Sequence, residues 1–252
     1  MGAPRLSALV VAHNEERNLG ECLATLAFAD EIVVVLDRCT DRSREIAEAA
    51  GAVLVEGAWD REGPRRHAGI EACSGDWILE IDADERVPAE LAEEIRARLP
   101  GAPPGHFLIR FDNYIGDRLV RHGWGAYNGV SAKPCLFKKG FKTWGGQRVH
   151  PRLQLAGVRS ELSGRIRHYV DTDLADTFAR LNRYSTLAAL DALDAGEKPR
   201  LWPALRRIPS RFWKVYVGRR GYREGAWGLA LGLFSALYPM LTYLKLATAK
   251  RG

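Results

Sequence analysis

Along the first hundred residues the hydrophobic positions follow two alternating periods. Segments 6–12, 31–36, 52–55 and 77–81 are short, largely apolar, β-branched runs, which predicts strands buried on both faces. Between them the spacing turns helical. Segment 16–26 carries Leu19, Leu23 and Leu26 on one face, and 41–50 starts behind Thr40 as its expected N-cap. Segment 62–73 has Pro64 in its first turn, and 88–99 opens on Pro88 with Leu91, Ile95 and Leu99 in one row. Strand and helix alternating at these lengths predicts an α/β chain: a Rossmann-like, mostly parallel sheet with right-handed crossovers and helices on both faces.

Past residue 100 the pattern changes. Segments 107–111, 135–137 and 164–170 read as strands, separated by loops such as Gly123-Trp124-Gly125 and Trp144-Gly145-Gly146. A helix is expected over 174–193, closed by Gly196. From 201 to 223 there are seven basic residues and no acid, with Trp202, Phe212, Trp213, Tyr216 and Tyr222 interleaved. Residues 225–244 carry no charge at all. The expected organisation is a domain over 1–200, with halves at about 1–100 and 101–200, followed by a helical segment over 201–252.

Composition narrows the class. In 252 residues, 46% are hydrophobic and 27% charged, which excludes global disorder. There are 37 Lys+Arg against 31 Asp+Glu, a net charge of +6, and this basicity suits an anionic partner. It resides in 201–252, which holds ten basic residues and one acid, a net of +9; the first 200 residues carry −3. Cys22, Cys39, Cys73 and Cys135 show no CxxC spacing and read as reduced thiols. The opening segment lacks the pattern of a signal peptide, so a cytoplasmic start is expected.

In an open parallel sheet, ligands bind beyond the carboxyl ends of the strands. His13-Asn14-Glu15-Glu16 follows the first strand, Asp37-Arg38-Cys39-Thr40-Asp41 the second and Asp82-Ala83-Asp84-Glu85 the fourth. Neither GxGxxG nor GxxxxGK[ST] is present, which argues against a dinucleotide site and a P-loop. Acids gathered at one edge repel one another unless a cation sits among them, and Asp82 and Asp84 are spaced to aim oxygens at one hard divalent ion. The competing reading is that these acids cap the helices that follow them. A nucleotidyltransferase would use a similar acidic edge, but with a Gly-rich basic loop after the first strand. A nucleic-acid-binding protein would use the basic, aromatic tail.

These three strand-end motifs, together with Gly75-Asp76-Trp77-Ile78-Leu79, resemble the family 2 glycosyltransferases of the GT-A fold, closest to the branch that builds lipopolysaccharide core and related surface glycans. The resemblance is strong over 5–100 and looser over 105–195. It implies an inverting, metal-dependent transfer from a nucleotide-diphosphate sugar, a UDP-sugar first, to a lipid-linked or lipopolysaccharide-type glycan, with Mg²⁺ or Mn²⁺ as cofactor. Val11, His13 and Glu15 would then lie along the nucleobase and ribose, and Asp37 would bond one of these. Asp82 would face ribose or metal, Asp84 would hold the metal, and Arg66 would reach the phosphates.

The chain departs from the pattern at His150-Pro151, where relatives often read His-Glu, and after Gly123-Trp124, where they often carry an Asp. The acceptor base is therefore sought at Asp112, with Asp117 behind it; Asp112-Asn113 also reads as a plain turn. His150 is a candidate metal ligand or phosphate contact, and a structural histidine otherwise. Trp124 and Trp144 suit either sugar stacking or core packing.

The uncharged run flanked by Lys and Arg, with Trp227, Tyr238 and Tyr243 along it, fits attachment of 201–252 to the cytoplasmic face of the inner membrane, peripheral or monotopic. A packed hairpin, a homo-oligomer interface or a single span are the other readings. No nucleic-acid partner is expected. Deleting 201–252 is expected to release the chain from membranes.

Overall fold

The computed structural model describes residues 3–125, 131–146 and 152–249. Two compact units are present, each discontinuous in sequence: Met1–Phe111 with Ala132–His168, and Asp112–Ser131 with Tyr169–Gly252.

In the first unit, β1 (Leu6–Ala12), β2 (Glu31–Asp37), β3 (Val53–Gly57) and β4 (Trp77–Asp82) run parallel in the order β3-β2-β1-β4. The four expected strands are therefore present and parallel. All seven residues of β1 are buried, as its largely apolar run requires, and the one polar member, Ser7, donates its hydroxyl to Glu31. Beyond β4 the sheet turns antiparallel through β8 (Ala132–Lys138) and β6 (Gly105–Ile115), then continues to β11 (Val158–Asp171) and the short β5 (Glu85–Arg86). Strands β9 (Lys142–Trp144) and β10 (Leu153–Leu155) pair antiparallel in a separate ribbon. These later strands are longer than the sequence segments suggested, because pairing with neighbours extends a strand past its apolar centre.

Helices α1 (Leu19–Ala24), α2 (Ser43–Ala49), α3 (Glu62–Ala72) and α4 (Ala89–Arg98) connect the strands. Leu9, Val11, Val33, Val35, Ile70 and Ile78 form the core beneath α3. Gly69 permits that packing: a Cβ there would lie 2.4 Å from Leu9 and 2.6 Å from Val35. Two expectations change. Thr40 does not cap α2. Its N–H donates to Asn14 Oδ1 at 2.8 Å, and Asp41 Oδ1 accepts from Ser43 N at 3.0 Å instead. Helix α1 begins at Leu19, not near 16, because Glu15 and Glu16 are tied to Ser43 and Asp41.

The second unit contains β7 (Arg118–Val120), antiparallel to residues 113–115, and helices α5 (Leu174–Asp194), α6 (Leu201–Trp213) and α7 (Ala226–Thr248). A π-helical turn, Lys214–Gly218, and a 3-10 turn, Gly221–Glu224, lie between α6 and α7. Ile115, Val120, Trp124, Val170, Val215 and Leu231 make one core. Trp124 is thus a packing residue, 5% exposed, and its indole N–H donates to Val120 O. Residues of the C-terminal segment are built into this core. Its glycines are contact points: a Cβ on Gly228 would fall 1.7 Å from Gly221 O.

Helix α7 packs on both α5 and α6. Leu181 and Tyr238 are buried between α5 and α7. Lys245 Nζ on α7 donates to Asn182 O, Ser185 Oγ and Thr186 Oγ1 of α5 at 2.6–2.8 Å. The helix has the length and composition of a membrane span, with a mean hydropathy of 1.4 in its most apolar window, yet a third of that window is buried in the protein (33%).

Candidate active site

The parallel strands end together, and the backbone turns sharply there. Asn14, just past β1, and Arg38, just past β2, both adopt left-handed conformations (φ 57° and 51°). A left-handed conformation costs a side chain of this kind roughly 1–2 kcal/mol, so the turns must be held by their surroundings. They are. Asn14 Oδ1 takes the Thr40 N–H, and the Arg38 guanidinium bonds Asp37 at 3.0 Å and Asp60 at 3.3 Å. His13 Nδ1 lies 2.5 Å from Asp37 O, joining the ends of β1 and β2.

Asp37 is 3% exposed. Its carboxylate accepts from Trp59 N at 3.1 Å and pairs with Arg38 and Arg65. Burial pushes its pKa up, but Trp59 N–H and these two cations outweigh it and hold the group below the usual range. Glu15 faces the other way electrostatically. Burial raises its pKa, the Asn18 amide opposes this, and the negative charges of Asp84, Asp82 and Asp41 raise it further.

Val11 pairs directly with Asp82 across β1 and β4, but its side chain is 8% exposed in the core. Asp82 has both oxygens engaged: Oδ1 with Arg66 at 2.8 Å and Oδ2 with Lys133 of β8 at 2.8 Å. Despite burial, these cations keep it well below the ordinary carboxylate range. Arg66 is also bonded by Glu62 at 2.7 Å and Glu80 at 2.5 Å. Its guanidinium, 4.7 Å from the Trp144 ring, is enclosed by three carboxylates rather than turned toward open solvent. Trp144 also donates its indole N–H to Glu80 at 3.2 Å, so it packs and bonds within the first unit.

Asp84 Oδ2 lies 3.4 Å from His168 Nε2 on β11. Burial raises the Asp84 pKa, and the His168 charge and hydrogen bond bring it below its ordinary value. Asp84, Glu85 and His168 offer donor atoms within 4.8 Å of one another, a span one divalent ion can bridge. Oxygen donors with one imidazole suit Mg²⁺ or Mn²⁺, so the chemistry of the set fits. Glu85 is already committed, however. It is fully buried, salt-bridged to Lys133 at 2.5 Å, and accepts the Asp82 N–H at 3.0 Å. The capping alternative fails for this turn, because Pro88 heads α4 with no side-chain cap. It holds for Asp41, which does receive the Ser43 N–H.

Asp82, Asp84, Glu15, Asp37, His13 and Arg66 thus fall in the first unit, around the ends of β1, β2 and β4. Asp112 does not end a strand, as the turn reading supposed. It lies inside β6, half-buried, and belongs to the second unit; the turn comes at Gly116-Asp117. His150 lies outside the described residues. His168, Lys133 and the donor role of Glu85 were missed. Periodicity gave His168 a strand but no partner, because what makes it notable is Asp84 on a distant strand.

The chain matches the model of the family described as "Glycosyl transferase family 2" over residues 7–155. It is 27% identical to the lipopolysaccharide core biosynthesis glycosyltransferase LpsC of Rhizobium meliloti (strain 1021), covering 96% of this chain and 91% of that one. An uncharacterized glycosyltransferase of Rickettsia bellii is 25% identical, over 96% of this chain and 85% of its own length. Among solved structures, S. aureus TarS 1-349 in complex with UDP-GlcNAc superposes with a TM-score of 0.54 at 15% identity, covering 96% of this chain and 88% of that one. With the strand-end geometry, these matches make the chain a member of glycosyl transferase family 2, a glycosyltransferase with the GT-A type of α/β fold.

Proposed function

We propose that this glycosyltransferase moves a sugar, with inversion, from a nucleoside-diphosphate donor to a lipid-linked or lipopolysaccharide-type glycan at the cytoplasmic face of the inner membrane. The observation that carries the reading is the Asp84–His168 pair after β4, two residues beyond Asp82. The TarS fragment was solved with UDP-GlcNAc and LpsC is named for lipopolysaccharide core biosynthesis. A UDP-sugar and a core oligosaccharide are therefore the first donor and acceptor to test.

Asp84 and His168 would hold Mg²⁺ or Mn²⁺, which supplies positive charge to the departing diphosphate. His13 and Glu15 line the nucleoside, with Val11 beneath them, and Asp37 orients the base or ribose through its fixed carboxylate. Arg66 acts at one remove: it holds Asp82 toward the ribose and neutralises the buried acids around it. Asp112 is the carboxylate to test first as acceptor base. A panel of sugar nucleotides should raise the melting temperature of the wild type with Mn²⁺ present and leave Asp84→Asn unmoved, since a ligand stabilises the state it binds. No stabilisation by any member of the panel would remove the donor reading.

Membrane attachment is supported by the exposed side of the helical unit. Leu201, Trp202, Leu205 and Trp213 on α6 are exposed, as are Leu229, Leu233, Leu237 and Leu244 along one stripe of α7. Arg206, Arg207 and Lys214 are exposed among them. This suits helices lying in an anionic leaflet, at about 1 kcal/mol per basic residue near the surface. The bonds from Lys245 to α5 favour a recumbent α7 over a span, which would have to break them. Deleting 201–252 is the wrong test, because Val215, Leu231 and Glu224 would leave the second unit with it. Point substitutions on the exposed stripes serve instead.

A further inference from the structure

Two basic side chains approach the acidic turn after β4 from different strands, and they divide its carboxylates between them. Lys133 Nζ from β8 sits 2.8 Å from Asp82 Oδ2, 2.5 Å from Glu85 Oε1 and 5.0 Å from the Phe111 ring centroid. His168 from β11 sits 3.4 Å from Asp84 Oδ2 and meets Phe111 edge-on, with centroids 5.9 Å apart. Arg66 closes the far side of Asp82 at Oδ1. Asp82 thus lies between two fixed positive charges, and Glu85 is held by one of them.

A divalent ion drawn to this turn meets carboxylates of unequal availability. Binding at Asp82 sets the ion against the Lys133 ammonium and the Arg66 guanidinium, each within 3 Å of an Asp82 oxygen. Binding at Asp84 meets the His168 imidazole, whose ring nitrogen 3.4 Å from Asp84 Oδ2 can itself serve as a ligand. A lysine so placed is a built-in competitor for the metal at one carboxylate and a guide to the other. We propose that Lys133 is a positioning residue that reserves Asp82 for the ribose and confines the metal to Asp84 and His168. The inference rests on the metal reading above and deepens it. The sequence offered Asp82 and Asp84 as joint ligands; Lys133 separates their roles.

The test is Mn²⁺ binding by the full chain without donor, followed by the electron paramagnetic resonance signal of free Mn²⁺. Asp84→Asn should abolish wild-type binding; if it does not, the metal reading and this inference fall together. Asp82→Asn should leave the wild-type affinity within about twofold, since Asp82 is not a ligand while Lys133 holds it. Loss of binding in Asp82→Asn overturns the proposal even with the Asp84 result intact. Lys133→Met, which frees two carboxylates, should bind Mn²⁺ about tenfold more tightly. Adding Asp82→Asn to it should undo that gain. Lys133→Arg should keep the wild-type affinity. A lysine that only stabilised the fold would give unchanged or weaker binding when replaced, and that outcome overturns the assignment. Should Lys133→Met fail to melt cooperatively, the Asp82→Asn arm decides alone.

Discussion

The two units of this chain treat charge in opposite ways. In the first, acids and bases are buried or half-buried together and paired between strands and with α3: Lys142 with Glu80, Glu80 with Arg66, Arg66 with Asp82, Asp82 with Lys133, Lys133 with Glu85. In the second, the C-terminal segment carries ten basic residues and a single acid, and several of its bases stand exposed between exposed tryptophans and leucines. Burial explains the difference. A charge removed from water must find a partner, and fixed partners orient a carboxylate well enough to do chemistry. A charge left in water costs little to keep and attracts partners from outside, so an unbalanced surface selects what the protein docks on.

The contrast is broken most directly at Arg66. Arg66→Met leaves buried Glu80 and half-buried Asp82 with fewer partners and should destabilise the first unit by about 3–5 kcal/mol, read from urea unfolding. A loss under about 1 kcal/mol would mean that the network does not hold the sheet edge. If Asp84 holds the metal as proposed, Asp84→Asn should reduce kcat by about 10²–10³-fold, with the melting temperature nearly kept, because it removes the carboxylate that would hold the cation against the departing diphosphate. Retained turnover would take Asp84 out of the site.

Glu224, the lone acid of the tail, has a different task. Its Oε1 accepts from Arg121 N, His122 N and His122 Nδ1 at 2.7–3.0 Å, within the second unit. Glu224→Ala should cost about 1.5–3 kcal/mol in that unit, measured by hydrogen exchange of residues 118–122. Unchanged protection there would show that Glu224 is not the tie.

Acid should also separate the units. Asp82 and Asp84 have pKa values below their ordinary 3.8, and Glu80 below its 4.5, in each case because neighbouring cations outweigh burial. Groups shifted down stabilise the folded state above the unfolded pKa, and that contribution is lost as pH falls through the folded value. Asp171 in the second unit is shifted up by burial, against Arg180, so its contribution is full at low pH and is lost as pH rises. Hydrogen exchange as the pH falls below the ordinary values of 3.8 and 4.5 should find the first unit opening before the second; the reverse order would contradict these shifts. The smallest effect belongs to the surface. Trp202→Ala with Trp213→Ala should weaken binding to vesicles rich in anionic lipid by about tenfold, leaving the fold unchanged, and unaltered partitioning would send the membrane face elsewhere.

Much of this was legible in the residues. The runs at 6–12, 31–36 and 77–81 gave strands, because a strand buried on both faces is largely apolar, and its buried exception Glu80 is paired with Arg66 and Lys142. The acids at their ends followed from the rule that parallel sheets bind ligands there. Helix 174–193 was readable within a residue, with Asp173 capping Asp176 N and Gly196 left-handed at its close. Thr40 misled, since its bond to Asn14 is a contact between loops that local propensity does not see.

Sequence alone thus determined the kind of sheet, the acids along its edge and the uneven charge between the two ends of the chain. These depend on neighbours within a few positions, where periodicity and turn chemistry act. Tertiary structure decided the partners. It set His168 on Asp84, gave both oxygens of Asp82 to Arg66 and Lys133, and built Val215 and Leu231 of the tail into a core with Val120 and Trp124. Pairings of that sort join residues far apart in the chain. They are fixed by which strands and helices lie side by side, and no local pattern carries that information.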